Sequence, residues 1–159
     1  LTMRHQMLKI VKNPYLALAF RLYIGGVFVY ASMHKINFPG EFAENIANYQ
    51  LVPFWAVNAM AVFMPWTELI CGFLLIIGVR VKSAAAAAAG LLALFTVAVA
   101  TTLIRGIPLG CGCFSAMEDP VTWGTVLRDL VWLAMTLHVY RVDSAWQAGK
   151  AFVPSYRDL

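Results

Sequence analysis

Four long apolar stretches constrain this chain more than any other feature. They cover about residues 14–34, 54–79, 83–104 and 120–140. A helix needs roughly 20 mainly apolar residues to cross the hydrocarbon core of a bilayer. The chain is 61% hydrophobic and 13% charged, whereas soluble domains are about 45–50% apolar and about 25% charged. The sequence therefore predicts an all-α bundle of four transmembrane helices, with residues 1–159 in a single membrane domain.

The basic residues predict how the bundle is oriented in a bacterial plasma membrane. Eight of them flank the apolar stretches on one side, namely Arg4, Lys9, Lys12, Arg80, Lys82, Arg141, Lys150 and Arg157. Only Lys35 and Arg105 lie in the two opposite loops. Because basic loops stay cytoplasmic, both termini are expected inside, and loops 35–53 and 105–119 are expected in the periplasm. The net charge of +4 is thus a topology signal, and we expect no nucleic-acid partner.

Small residues and prolines predict how the helices pack. Gly25-Gly26 and the run "SAAAAAAG" at 83–90 allow close approach of helix backbones in lipid. Pro65 is expected to kink the second span. Asp119 and Pro120 match the N-cap and first position of the fourth helix.

The first outer loop carries a helical pattern of its own. Phe42, Ile46 and Tyr49 are spaced i, i+4 and i+7, with acidic and amide residues between them. Such spacing is typical of a short amphipathic helix. We expect it to lie on the outer membrane surface as an interfacial helix, where it would close the bundle or cover the second outer loop.

The second outer loop holds two of the three cysteines, Cys111 and Cys113, on either side of Gly112. On the periplasmic side disulfides form and persist. A bond between residues i and i+2 needs a tight turn, because the two Cα atoms must come within about 4.4–6.8 Å. Strained, exposed disulfides tend to be catalytic or labile. The pair therefore favours redox exchange over two alternatives, inert thiols and a site for soft ions such as Cu(I) or Hg(II).

The third cysteine is not expected to take part. Cys71 lies about 17 residues below the outer end of the second span, or roughly 26 Å at 1.5 Å per residue. A small buried apolar role suits it better. A closed zinc site needs four ligands, and His34 is the nearest further candidate on the outer face. The signal for a metal site is therefore weak, and we assign no metal ligand.

Charged residues within the spans must find partners inside the bundle. From their positions in spans 1 and 2, Arg21 and Glu68 are expected at similar depth and to form an ion pair, a proton path or a contact to a quinone head group. Arg128 and its neighbour Asp129 would join this network, or Arg128 would extend to the membrane surface. His34 and Lys35 end the first span at the depth of the cysteine loop, and Arg105 begins that loop.

Several of these segments resemble the MauE (methylamine-utilisation) family of DoxX-like membrane proteins. They are "ASMHK", "FAENIANYQLVP", "MPWTELICGFLLIIG" and "IRGIPLGCGCF", and the resemblance covers roughly residues 20–135. It implies a four-span protein that acts with a thioredoxin-like partner in maturing methylamine dehydrogenase, whose small subunit is disulfide-rich. The family motif usually continues "CGCFG", whereas here Ser115 replaces the last glycine.

The sequence thus predicts a membrane thiol–disulfide oxidoreductase component. Cys111 and Cys113 would exchange electrons with a periplasmic thioredoxin-like protein, and a membrane quinone is the cofactor considered. Lys35, His34, Arg105, Arg21, Glu68 and Arg128 are the candidate supporting residues. Two alternatives remain, a soft-metal binder or transporter using the same thiols and an assembly subunit without chemistry. The protein is expected in the bilayer, with an oligomer as an open alternative.

Overall fold

The computed structural model describes residues 2–107 and 121–142, and every element in that part of the chain is helical. The six helices are α1 (Thr2–Val11), α2 (Pro14–Asn37), α3 (Pro39–Tyr49), α4 (Phe54–Ile77), α5 (Val81–Arg105) and α6 (Trp123–Val142). The all-α prediction is confirmed. The four predicted spans correspond to α2, α4, α5 and α6, with ends that differ by up to three residues.

Local chemistry sets the helix ends. Asn13 caps α2, because its side chain accepts a hydrogen bond from the backbone N–H of Tyr15 at 3.0 Å, and Pro14 is the first helical residue. Pro39 interrupts the helix and opens α3. α4 and α5 end at Gly78 and Gly106, whose φ angles of 82° and 68° are left-handed conformations that glycine adopts without steric cost.

Four long helices form the bundle, and the chain runs alternately up and down through it. α2 packs along α4, α4 along α5, and α6 against both α5 and α2. α3 packs on the N-terminal half of α4, where Phe42 and Ile46 contact Val57 and Ala61. We call the end of the bundle that holds α3 the α3 end. The end of α2, the start of α4, the end of α5 and the start of α6 all lie there.

The opposite end of the bundle holds its largest apolar cluster. Ile24 of α2 and Leu75 of α4 meet the alanines Ala84, Ala85 and Ala88 of α5 there. The alanine run is therefore a packing surface, as predicted. Of the glycine pair in α2, only Gly25 is at a helix contact. A Cβ on Gly25 would lie 3.0 Å from the backbone oxygen of Gly72 in α4, whereas one on Gly26 would meet nothing within 4 Å.

Three of the described helices are long and apolar enough to cross a membrane, namely α2, α4 and α5. α6 has 20 residues, but Arg128, Asp129 and His138 lower its hydropathy. The fourth span therefore remains a prediction, although α6 packs as a full member of the bundle. α3 buries Phe42, Ile46 and Tyr49, the three residues predicted to share a face. Its position at a membrane surface also stays a prediction.

Two further predictions are not tested by the described residues. α4 continues through Pro65, and the kink expected there stays a prediction. The helix start predicted at Asp119 and Pro120 lies outside the described residues, and α6 begins at Trp123.

Candidate functional site

A buried ion pair joins α2 to α4. The Nζ atom of Lys35 donates to both carboxylate oxygens of Glu68, at 2.8 Å and 2.9 Å. Lys35 is 3% exposed and Glu68 is 4% exposed. The ammonium also lies 4.4 Å from the ring centroid of Phe95 and 5.0 Å from that of Phe42. Aromatic faces attract cations, so Lys35 is held by a carboxylate and two rings rather than by water.

The direction of the two side chains explains why they meet. Side chains on a helix lean toward its N-terminus. Because α2 and α4 are antiparallel, Lys35 leans away from the α3 end and Glu68 leans toward it. The two side chains therefore lean toward each other and close the gap between their backbones.

This arrangement overturns the predicted partner of Glu68. Arg21 is also buried, with 2% exposed, but it precedes Lys35 by 14 residues on the same helix, or about 21 Å along its axis. Arg21 also leans away from Glu68. The predicted pairing of Arg21 with Glu68 is wrong. The prediction assumed that spans 1 and 2 were centred at the same depth in the membrane. In the structure α3 packs beside the first half of α4, and the end of α2 lies beside the second half of α4, where Lys35 meets Glu68.

Asp129 of α6 brings a second carboxylate to this region. It is 2% exposed, and its Oδ1 atom accepts from the guanidinium of Arg128 at 3.2 Å. The guanidinium carbon of Arg128 lies 4.7 Å from the ring centroid of Trp132. Oδ2 of Asp129 is buried and has no hydrogen-bond partner in the described parts of the chain. Arg128 therefore pairs with its neighbour Asp129, and a link from this pair to Glu68 stays a prediction.

A cavity of about 420 Å³ connects these groups. Lys35, Glu68 and Asp129 line it together with apolar side chains of α2, α5 and α6, which are Val27, Phe28, Ala31, Leu91, Leu92, Phe95 and Trp132. A second cavity of about 520 Å³ lies between α3, α4 and α5, and the described residues that line it are uncharged. Phe95 borders both cavities. We call the first one the polar cavity.

The other candidate residues lie apart from the polar cavity. The ring of His34 packs on Phe38, with centroids 5.1 Å apart. Arg105 is exposed at the end of α5, and its Nη1 atom lies 3.4 Å from the backbone oxygen of Tyr49. That contact ties the end of α5 to the end of α3.

Cys111 and Cys113 lie outside the described residues, between Ile107 and Val121. Both borders of their segment are at the α3 end, since Val121 packs on Val99 of α5 and Val126 of α6. Cys71 is buried in the core beside Ile24 and Leu75, which agrees with its predicted apolar role. No cluster of three or more metal-binding side chains occurs in residues 2–107 and 121–142.

Sequence reasoning missed two features of the site. It placed Lys35 at the membrane surface, and it treated Asp129 only as a neighbour of Arg128. Gly25 and Gly72 are the sequence signal that could have revealed the burial of Lys35. Matching these two small residues across the first two spans fixes the register of α2 against α4. With that register, Glu68 lies opposite the last turns of α2, where Lys35 is the available cation.

The helices and the buried charges define a polytopic α-helical membrane protein with a polar cavity inside its bundle. A family model described as "Methylamine utilisation protein MauE" matches residues 13–141. The chain belongs to the MauE family.

Three curated relatives illustrate this membership, each named "Methylamine utilization protein MauE". The Paracoccus denitrificans protein is 33% identical over 129 residues, which are 80% of this chain and 69% of that relative. The Methylophilus methylotrophus protein is 33% identical over 83% of this chain and 71% of its own length. The Paracoccus versutus protein is 33% identical over 82% and 72%. No solved structure matches the chain significantly.

Proposed function

We propose that this protein is a membrane component of thiol–disulfide exchange in methylamine utilisation. Cys111 and Cys113 would form a reversible disulfide on the periplasmic side and exchange it with a thioredoxin-like protein. The final acceptors would be disulfide-rich proteins such as methylamine dehydrogenase. The relatives' names support the physiological setting, and the cysteine pair supports the chemistry.

The observation that carries the proposal is where the cysteine segment is attached. The ends of α5 and α6 that border it lie at the α3 end, above the buried Lys35, Glu68 and Asp129. Cys71 is enclosed in apolar core, which leaves the other two of the chain's three cysteines for exchange. A disulfide that spans one residue closes too short a loop to constrain the unfolded chain much, so a structural staple is a poor explanation for it.

The exchange conserves atoms and electrons in two steps. A thiolate of the partner attacks one sulfur of the Cys111–Cys113 disulfide, which forms a mixed disulfide and releases the other cysteine as a thiolate. The second thiol of the partner, as its thiolate, then attacks the mixed disulfide. The partner leaves oxidised, and Cys111 and Cys113 are left reduced by two electrons. The reverse sequence oxidises the pair again.

Thiol trapping of the full-length protein in its native membrane tests this proposal. Cys111→Ser or Cys113→Ser should abolish exchange, and one of the two should accumulate a mixed disulfide with a thioredoxin-like partner. Cys71→Ala is the matched control and should leave exchange unchanged. If Cys111 and Cys113 stay reduced under oxidising conditions and both serine variants remain active, the proposal is wrong. Stoichiometric binding of Hg(II) or Cu(I) without a trapped partner would instead indicate a soft-metal site.

A further inference from the structure

We propose that the polar cavity binds the head group of a lipid-soluble quinone, in both its quinone and quinol forms. This inference rests on the proposed function, since repeated oxidation of the partner needs an electron carrier that regenerates the cysteine pair. It names the place inside the bundle where that carrier binds.

The hydrogen-bonding groups of the cavity match both redox forms. Lys35 has three N–H donors, and Glu68 accepts from it at two oxygens, which leaves one donor for a ligand carbonyl. Oδ2 of Asp129 is a buried acceptor with no partner among residues 2–107 and 121–142. Buried polar atoms are normally hydrogen-bonded, and a ligand hydroxyl would satisfy this one. A quinone offers the carbonyl, and a quinol offers the hydroxyl.

The walls of the cavity suit a flat apolar ring that enters from lipid. Phe28 and Leu92 are buried, and Phe95 and Trp132 supply aromatic faces for stacking. Val27, Leu91 and Trp132 are only half-buried, so the cavity reaches the outer surface of the bundle. An attached isoprenoid chain would extend into the bilayer.

The redox step balances without a further reagent. Two thiols and one quinone become one disulfide and one quinol. One S–S bond forms and two S–H bonds break, while the two protons and two electrons end on the quinone oxygens as two O–H groups. Lys35 would donate to a quinone carbonyl, and Asp129 would accept from a quinol hydroxyl. The reverse reaction reduces the disulfide.

Binding of ubiquinone-1 and its quinol to the full-length protein in phosphatidylcholine nanodiscs tests the inference. Both forms should bind saturably. Asp129→Asn keeps the shape of the side chain but removes its charge, and it should weaken quinol binding about tenfold, because hydrogen bonds to charged groups are the stronger ones. Ala31→Leu, which fills the cavity, should weaken both forms. Thr67→Val is the control, because the Thr67 hydroxyl donates to the backbone oxygen of Phe63 in its own helix and Thr67 is not among the described residues that line the cavity.

The outcomes separate this inference from the proposed function. Absence of saturable binding, equal binding by all variants, or displacement of ubiquinone-1 by phospholipid would each overturn the quinone site. A trapped thioredoxin-like partner together with any of these results would leave the proposed function standing. Cys111→Ser/Cys113→Ser should bind ubiquinone-1 as tightly as the unmodified protein. Normal quinone binding without any mixed disulfide would support the site and overturn the proposed function.

Discussion

Lys35 lies at the end of a predicted span and was expected at the membrane surface, but the structure buries it. Basic side chains near the end of a membrane helix usually extend to the interface. Lys35 instead turns into the bundle, where Glu68 and the rings of Phe42 and Phe95 surround its ammonium. The interior of the bundle thus contains a charge that is stable only while its partner is present.

A double-mutant cycle measures this dependence. Lys35→Met and Glu68→Gln should each lower the free energy of unfolding in mixed micelles by about 3 kcal/mol. The first leaves the carboxylate of Glu68 buried without its cation, and the second leaves the ammonium of Lys35 buried without its anion. The double variant should lose clearly less than the sum of the two.

Arg21 provides the matched control for that cycle. Arg21→Met combined with Glu68→Gln should give additive losses to within about 0.5 kcal/mol, as distant sites do. Coupling between Arg21 and Glu68, or additivity between Lys35 and Glu68, would contradict the pairing described here.

The sequence permits part of this site to be predicted. Arg21 and Glu68 interrupt apolar spans, and the cost of a charge in lipid requires that both be buried, as both are. Their partners could not be predicted in the same way. Which charges pair depends on how far one helix is shifted along the axis of the next. The boundaries of the spans do not determine that shift when a further helix, here α3, packs beside one end of a span.

The contact between α2 and α4 depends on two glycines that face each other. A Cβ on Gly72 would lie 2.9 Å from the backbone oxygen of Gly25 and 2.9 Å from Cγ2 of Val29. One of these neighbours is backbone and cannot rotate away. This close approach sets the register in which Lys35 meets Glu68, so packing and the candidate site depend on the same contact.

Alanine substitutions at the glycines test that contact. Gly72→Ala should destabilise the bundle by about 1–3 kcal/mol, the usual cost of overpacking. Gly26→Ala should be neutral or stabilising, because Gly26 has open space around it and alanine favours helix. Thermal unfolding of both variants in detergent gives the comparison. Equal effects at Gly26 and Gly72 would show that the two helices do not approach as described.

The position of a helix in the sequence could be predicted more reliably than the helices that pack against it. The spacing of Phe42, Ile46 and Tyr49 predicts the buried face of α3 correctly, because the apolar stripe of an amphipathic helix is the side that packs against the protein. α1 was not predicted, although Met3, Met7 and Ile10 repeat the i, i+4 and i+7 spacing that marks α3. All of its residues are exposed. Its end is held instead by α6, where Nε2 of His138 lies 2.6 Å from the backbone oxygen of Val11.

The two ends of the bundle differ in charge in a way that bears on the cysteine pair. Arg80 and Lys82 lie between α4 and α5, and Arg141 ends α6, so these exposed basic residues share the end opposite α3. At the α3 end Lys35 is buried, Arg105 is exposed near the border of the cysteine segment, and Arg128 is about one-third exposed (34%). This asymmetry is what basic residues on the cytoplasmic side would produce, and it would place Cys111 and Cys113 in the periplasm.

Labelling of single introduced cysteines in intact cells tests this orientation. In a background with Cys71→Ala, Cys111→Ser and Cys113→Ser, an impermeant maleimide should label Gly40→Cys and should label Lys82→Cys only after the cells are opened. Both positions are exposed and lie at opposite ends of the bundle, so each controls for the accessibility of the other. The reverse pattern would put the α3 end in the cytoplasm. Because disulfides seldom persist there, that single result would also remove the physical basis for a stable disulfide between Cys111 and Cys113.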